Sequence, residues 1–124
     1  MTTQAFAHGF YLQVEGYFDA AHHLPLYKGA CHNMHGHRWK VQVRWFTKVL
    51  EDGIAFDLKI LKQRVRTITD LLDHKVVNDT ILNPTAEHLC VWFVEQLRLF
   101  PEGKYLHCVS IYETPDSKVS VQCL

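Results

Sequence analysis

Histidine is concentrated in one short stretch of the sequence. Residues 22–37 contain five histidines and one cysteine: His22, His23, Cys31, His32, His35 and His37. If a strand begins near His35, then His35 and His37 project from the same face about 7 Å apart, because side chains alternate along a strand. Two such imidazoles joined by a third from a neighbouring strand can build a catalytic zinc site with its fourth position open. The stretch therefore predicts a zinc centre.

His22 is the predicted third ligand, because it continues the inward phase of Phe18 and Ala20 along the preceding strand. A lone His-x-His pair is more often a pair of polar loop residues, but a third histidine in phase and a nearby cysteine favour the metal. Cys31 admits two interpretations, as a reactive thiol or as the fourth ligand of a structural site. We favour the thiol, although spacing alone does not decide.

Polar residues also occur at two places where the surrounding pattern predicts buried apolar side chains. Asp73 and His74 end a helical pattern and would relay a proton if they faced a pocket. Alternatively, His74 only complements the negative end of the helix dipole. Glu113 follows Val109 and Ile111 in the inward phase of a strand. Its carboxylate either lies in solvent or accepts hydrogen bonds from a ligand.

Hydrophobic periodicity predicts the elements that position these residues. Alternating apolar residues predict strands over 10–18 and 38–46. Apolar residues three and four apart predict one helix over 57–72 and a second that begins at Asn83-Pro84-Thr85, where two N-caps are available, and ends near 100–103. Two short β-rich runs at 106–112 and 118–123 predict a final hairpin.

The order β-β-α-α-β-β indicates an α+β fold, an antiparallel sheet with both helices on one face. Such a sheet has two free edges and one uncovered face, and subunits that join edge to edge into an oligomeric barrel would protect both. Residues 1–124 form one predicted domain, since no Gly/Ser/Pro-rich linker divides the 124-residue chain.

Composition excludes several classes of function. Thirteen Lys and Arg balance thirteen Asp and Glu, so no overall field attracts the chain to nucleic acid or to an anionic membrane. The sequence has no apolar run of about 18 residues and no secretory leader, so we expect a cytoplasmic protein. The four cysteines form no Cys-x-x-Cys pair and are predicted to be free thiols.

Six motifs, taken in order, resemble the pattern of the 6-pyruvoyl-tetrahydropterin synthase / 6-carboxy-tetrahydropterin synthase family over nearly the whole chain. They are Phe18-x-Ala20-Ala21-His22-x-Leu24, Cys31-x-x-x-His35-Gly36-His37, Asp57-Leu58-Lys59, Leu72-Asp73-His74, Asn83-Pro84-Thr85-Ala86-Glu87 and Glu113-Thr114. Each motif alone would be weak. Six in register with the predicted order of elements are hard to obtain by chance.

The resemblance implies roles for the residues that match it. The implied zinc ligands are His22, His35 and His37; the implied catalytic residues are Cys31, Asp73 and His74; the implied pterin contacts are Glu113, Thr85 and Glu87. It also implies the tunnelling fold, in which three subunits close a twelve-stranded barrel and two trimers stack into a homohexamer. This assembly agrees with the argument from unprotected sheet edges.

For function, the resemblance implies a zinc-dependent lyase acting on 7,8-dihydroneopterin triphosphate. The presence of Cys31 resembles the cysteine-dependent branch of the family. Members that cleave dihydroneopterin carry Glu directly before His-Gly-His, whereas this chain has Met34 there. The short chain is closer to the 6-carboxy-tetrahydropterin synthase of queuosine biosynthesis. The alternatives are 6-pyruvoyl-tetrahydropterin synthase and a non-catalytic zinc- or pterin-binding protein. By position alone, the candidate cationic side chains for holding the triphosphate are Lys28, Arg38, Lys75 and Lys118.

Overall fold

A computed structural model describes residues 1–124, which form one five-stranded sheet and two helices. The elements are β1 (Thr3–His22), β2 (His35–Glu51), α1 (Leu58–Thr69), β3 (Lys75–Val76), α2 (Ala86–Leu97), β4 (Leu106–Thr114) and β5 (Ser117–Gln122). The strand order is β3-β1-β2-β4-β5. The four longer strands pair antiparallel, whereas β3 runs parallel to β1. The predicted α+β fold is confirmed, and β3 is an addition to it.

The first two strands form a long hairpin that carries the histidines to its mouth. Both strands extend beyond the predicted ranges of 10–18 and 38–46. Their pairing continues to the last pair, His22 with His35. Apolar alternation stops before this point because histidines and small residues replace the aliphatic ones, but backbone hydrogen bonding does not need apolar side chains.

Both helices cover the same face of the sheet. The alternating residues Trp39, Val41, Val43 and Trp45 of β2 are at most 1% exposed. They belong to one cluster of 20 buried hydrophobic residues that also includes side chains from both helices. Burial of this cluster supplies most of the hydrophobic driving force, at about 25 cal/mol per Å² of apolar surface. Neither helix is both long enough and apolar enough to cross a membrane.

Side-chain caps set the start of each helix. The Asp57 carboxylate accepts a hydrogen bond from Lys59 N at 2.9 Å, and the Thr85 hydroxyl accepts one from His88 N at 3.1 Å. Thr85 is therefore the cap among the two predicted candidates. Helix α1 ends at Thr69, earlier than the predicted residue 72, and α2 ends at Leu97, before the predicted 100–103. In both cases the chain continues as turns, from which Leu72 and Phe100 still pack inward.

Candidate functional site

Three imidazoles converge at the mouth of the β1–β2 hairpin, on the side of the sheet that faces the helices. His22 Nε2 lies 2.9 Å from His35 Nε2. The ring centroids of His37 and His35 are 4.8 Å apart, and those of His37 and His22 are 5.6 Å apart. His22 is 1% exposed, and the other two are partly buried. The structure thus brings together the three histidines predicted to bind metal.

Backbone carbonyls set the tautomer of two of these histidines. His22 Nδ1 donates to Pro84 O at 2.8 Å, and His35 Nδ1 donates to Asn33 O at 2.7 Å. A carbonyl oxygen can only accept, so each Nδ1 must carry the proton. The lone pair of each ring is therefore on Nε2, the nitrogen that points into the cluster. Metal-ligating histidines are held by outer partners of this kind.

Glu113 brings a fourth donor atom to the cluster. Its Oε1 lies 2.9 Å from His37 Nε2, 3.2 Å from His22 Nε2 and 3.7 Å from His35 Nε2. A tetrahedral zinc with bonds of 2.0–2.1 Å holds its ligand atoms about 3.3 Å apart. The observed separations span this value, so the four groups can hold one metal ion between them. The sequence predicted the inward phase of Glu113 but not its contact with the histidines.

His37 provides a further indication that the cluster fits a cation. Its Nε2 is buried and makes no hydrogen bond that meets the geometric criteria, although Glu113 Oε1 lies 2.9 Å away. Burial lowers the pKa of His37 below its ordinary value of 6.5. The neighbouring His35 and His22 act in the same direction, and the Glu113 carboxylate opposes them. The neutral ring is thus favoured, and this is the form that binds a metal.

Trp39 packs beneath the histidines. Its ring meets His22 edge-on at a centroid distance of 4.8 Å and His37 at 5.3 Å. The indole Nε1 donates to Ala20 O at 3.1 Å, which ties β2 to β1 just below the cluster. Nothing in the sequence distinguished Trp39 from the other core residues of β2. Its contribution to the site comes from packing, which alternation alone does not show.

The Asp73 and His74 pair lies beside the cluster, at the outer edge of β1. Asp73 Oδ1 accepts from Asp19 N at 2.8 Å, and His74 N donates to Asp19 O at 2.6 Å. His74 Nε2 lies 3.5 Å from Asp73 Oδ2, and its side chain is 80% exposed. A cavity of about 530 Å³ is lined by both His74 and His37. His74 therefore shares a cavity with His37, whereas Asp73 lies behind it and lines a different cavity.

Asp19 is a neighbour of this pair that the sequence analysis did not select. Its carboxylate lies close enough to Asp73 and His74 for their ligand atoms to fall within 4.8 Å of one another. Asp19 also bonds both residues through its backbone. In the sequence, Asp19 stood out only as the variable residue between Phe18 and Ala20 in the first motif.

The remaining predicted site residues lie apart from the histidine cluster within this chain. Cys31 is half-buried on a 3-10 turn, Ala30–His32, and is not among the donor atoms grouped at the cluster. The sequence left open that Cys31 is the fourth ligand of a structural metal site, but the group that lies beside the three histidines is Glu113. Thr85 caps α2 directly after Pro84, whose carbonyl holds His22, and Glu87 is exposed in the first turn.

Comparison with known proteins shows the family of this chain. The family model described as 6-pyruvoyl tetrahydropterin synthase matches residues 11–123. The chain belongs to the 6-pyruvoyl tetrahydropterin synthase family. A relative from Archaeoglobus fulgidus, provisionally named 6-carboxy-5,6,7,8-tetrahydropterin synthase, is 39% identical over 85% of this chain and 89% of its own. A Synechocystis protein with the same name is 32% identical over 78% of this chain and 81% of its own.

Among solved structures, the Caenorhabditis elegans 6-pyruvoyl tetrahydropterin synthase superposes with a TM-score of 0.86. The match covers 98% of this chain and 99% of the other at 23% identity. At that level of identity, the likeness shows the fold of the 6-pyruvoyl tetrahydropterin synthase family.

Proposed function

We propose that this protein is a zinc-dependent lyase that converts 7,8-dihydroneopterin triphosphate into 6-carboxy-5,6,7,8-tetrahydropterin. The observation that carries the proposal is the convergence of three histidine Nε2 atoms and one carboxylate oxygen beside two open cavities. Relatives in the same family are named for this product. The atoms balance when one water is consumed and acetaldehyde and triphosphate leave.

In this proposal, His22, His35 and His37 hold the zinc. When bound, the ion acidifies the hydroxyls and the adjacent C–H of the substrate side chain by stabilising negative charge. In this proposal the substrate hydroxyls take the fourth corner, and Glu113, which also lines a cavity next to His37, turns away from the histidines to accept hydrogen bonds from the N–H groups of the pterin edge. A carboxylate facing two such donors makes a charge-assisted pair, which is stronger than a neutral hydrogen bond.

Proton transfer is assigned to Cys31, Asp73 and His74. Cys31 acts as a thiolate, the form of cysteine that accepts a proton. The carboxylate of Asp73 orients His74, which lines the cavity that His37 also lines. Thr85 and Glu87 lie near the pterin in this proposal, and Thr85 follows the Pro84 carbonyl that holds His22.

The proposed assembly is a homohexamer of two stacked trimers. The sheet supports it because β5 (Ser117–Gln122) has one unpaired edge and β3 covers only two residues at the other edge. Exposed strand edges of this length are normally protected by pairing. Each active site would then be shared, with Cys31 serving a site that a neighbouring subunit completes.

The experiment that tests the function is incubation of the zinc-loaded protein with 7,8-dihydroneopterin triphosphate and identification of the products. We expect the carboxy product, acetaldehyde and triphosphate in equal amounts. A pyruvoyl product would support 6-pyruvoyl-tetrahydropterin synthase, the alternative favoured by the family description and by the fold match. A hydroxymethyl-dihydropterin product, or no turnover by protein with full zinc content, would contradict both assignments.

A further inference from the structure

A short segment of the chain, residues 73–78, covers the outer edge of β1 beside the histidine cluster. β3 lies in the middle of this segment and pairs Lys75 with Ala20 and Val76 with Ala21. Because β3 has only two residues, its backbone does not reach the end of β1. The last backbone groups of that edge therefore need another partner.

The side chain of Asn78 supplies this partner. Asn78 Oδ1 accepts a hydrogen bond from His23 N at 3.0 Å, and Asn78 Nδ2 donates one to His23 O at 2.9 Å. One carboxamide thus satisfies both backbone groups of a single residue, as the main chain of a neighbouring strand would in a sheet. The two residues are 55 positions apart in the sequence, so only the fold brings them together.

This double hydrogen bond lies directly next to a proposed metal ligand. His22 is the last residue of β1, and its partner His35 is the first residue of β2. Terminal pairs open more readily than central ones, because structure supports them from one side only. By fixing His23, the Asn78 amide supports the last pair from its open side. The backbone that carries the His22 ring is thereby held at both ends.

We propose that Asn78 is a positioning residue that keeps His22 in place for metal binding. The inference rests on the part of the proposed function that assigns the zinc to His22, His35 and His37. Metal–ligand distances are fixed to within about 0.2 Å. A ligand on a strand end that opens is therefore out of reach for part of the time. The apparent metal affinity then falls with the fraction of molecules in the binding conformation.

The tautomer of His22 depends on the same support. The ring is buried, and its Nδ1 donates to Pro84 O at 2.8 Å. This hydrogen bond forms only while the end of β1 stays beside the turn that carries Pro84. Once the strand end moves away, nothing keeps the proton on Nδ1, and the two neutral tautomers of the ring can interchange. Loss of the Asn78 amide should therefore change both the position and the tautomer of His22.

Replacement of Asn78 should leave the rest of the segment in place. Val77 is fully buried in the hydrophobic core. At the other end of the segment, Asp73 Oδ1 accepts from Asp19 N, and His74 N donates to Asp19 O. None of these contacts involves the Asn78 side chain. The effect of the substitution is thus expected at the end of β1.

The test compares Asn78→Ala with Thr47→Ala and the wild type. Thr47 is the matched control because its hydroxyl also bonds both backbone groups of one residue, accepting from Val49 N at 3.1 Å and donating to Val49 O at 3.4 Å. It lies towards the end of β2 opposite to His35. In competition with a chromophoric chelator, Asn78→Ala should bind zinc at least tenfold more weakly than Thr47→Ala, which should match the wild type.

Nitrogen NMR of the metal-free proteins gives a readout that a loss of stability alone would not change. The ¹⁵N shifts of a histidine ring report which nitrogen carries the proton. The wild type and Thr47→Ala should show His22 protonated on Nδ1, whereas Asn78→Ala should show a mixture of tautomers. If Asn78→Ala does not fold, Asn78→Asp, which keeps the acceptor for His23 N and loses the donor to His23 O, takes its place in both measurements.

The inference is overturned if either the zinc affinity or the tautomer signal of His22 is the same in the Asn78 variant and in Thr47→Ala. Its failure is distinguishable from that of the proposed function. A wild type that binds no zinc would refute the proposed metal ligands. The tautomer signal would then decide alone: a mixture confined to the Asn78 variant would support the positioning of His22, and an unchanged signal would refute it.

Discussion

Trp39 allows the link between packing and metal binding to be tested directly. The residue is fully buried, touches the rings of His22 and His37, and donates its indole N–H to Ala20 O. Trp39→Phe keeps an aromatic ring but removes the donor and part of the packed volume. The lost hydrogen bond should cost about 0.5–1.5 kcal/mol. The space left by the smaller ring adds about 1–2 kcal/mol, a fraction of the cost of truncation to alanine.

Trp45→Phe is the matched control for this experiment. Trp45 lies on the same face of β2, is 1% exposed and makes no side-chain hydrogen bond. Its replacement loses the same volume far from the histidines. We therefore expect Trp39→Phe to be less stable than Trp45→Phe by about 1 kcal/mol, measured by denaturant unfolding of the metal-free proteins.

Zinc affinity gives the decisive comparison. Residues that hold metal ligands in place typically contribute 10–100-fold to metal affinity. In a competition assay with a chromophoric chelator, Trp39→Phe should bind zinc at least tenfold more weakly than Trp45→Phe, which should match the wild type. Equal zinc affinity in the two variants would show that the histidines do not depend on the ring beneath them, and the reasoning would fail.

Four further predictions concern single side chains. His35→Ala should remove the expected one zinc per chain, and elemental analysis that finds undiminished zinc would reject the ligand set. Cys31→Ala should abolish turnover but keep zinc, whereas loss of the metal would indicate a ligand. In the zinc-loaded protein, Glu113→Gln should weaken pterin binding at least tenfold by calorimetry, because an amide donor would face a pterin donor, and unaltered affinity would withdraw this role. Burial raises the pKa of Glu102, but hydrogen bonds and the charge of Arg64 outweigh it, so the pKa lies below 4.5. The wild type should therefore be more stable than Glu102→Gln above pH 4.5, and this advantage should vanish as the pH falls further. A difference in melting temperature that does not change with pH would contradict this.

The sequence predicted the parts of the fold that depend on local pattern. Alternation in β2 identified the buried residues Trp39 to Trp45, and the inward phase of Glu113 was correct because both follow from the two-residue period of a strand. Helix α1 was placed too long because its end depends on a distant contact. His74 adopts a positive φ of 58° and donates its N–H to Asp19 O, which local apolar spacing does not reveal.

The same distinction applies to the candidate site. Three histidines could be selected because their spacing and phase lie in the sequence. The carbonyls of Pro84 and Asn33 that orient two of them could not, since any residue supplies a carbonyl and only the fold decides which one points at a ring. The two-residue strand β3 left no periodic signal, although it joins Lys75 to β1 beside the site.

The carbonyl contacts of His22 and His35 bear on when the protein would acquire the proposed metal. Both rings are already held in the ligating tautomer by the backbone, and a cluster of 20 buried hydrophobic residues stabilises the sheet around them. The chain can therefore fold before metallation, unlike small zinc domains whose folding free energy is supplied by the ion. An ion would bind to and dissociate from an already folded protein. The identity of the bound metal would then be decided by exchange with the metal ions available in solution.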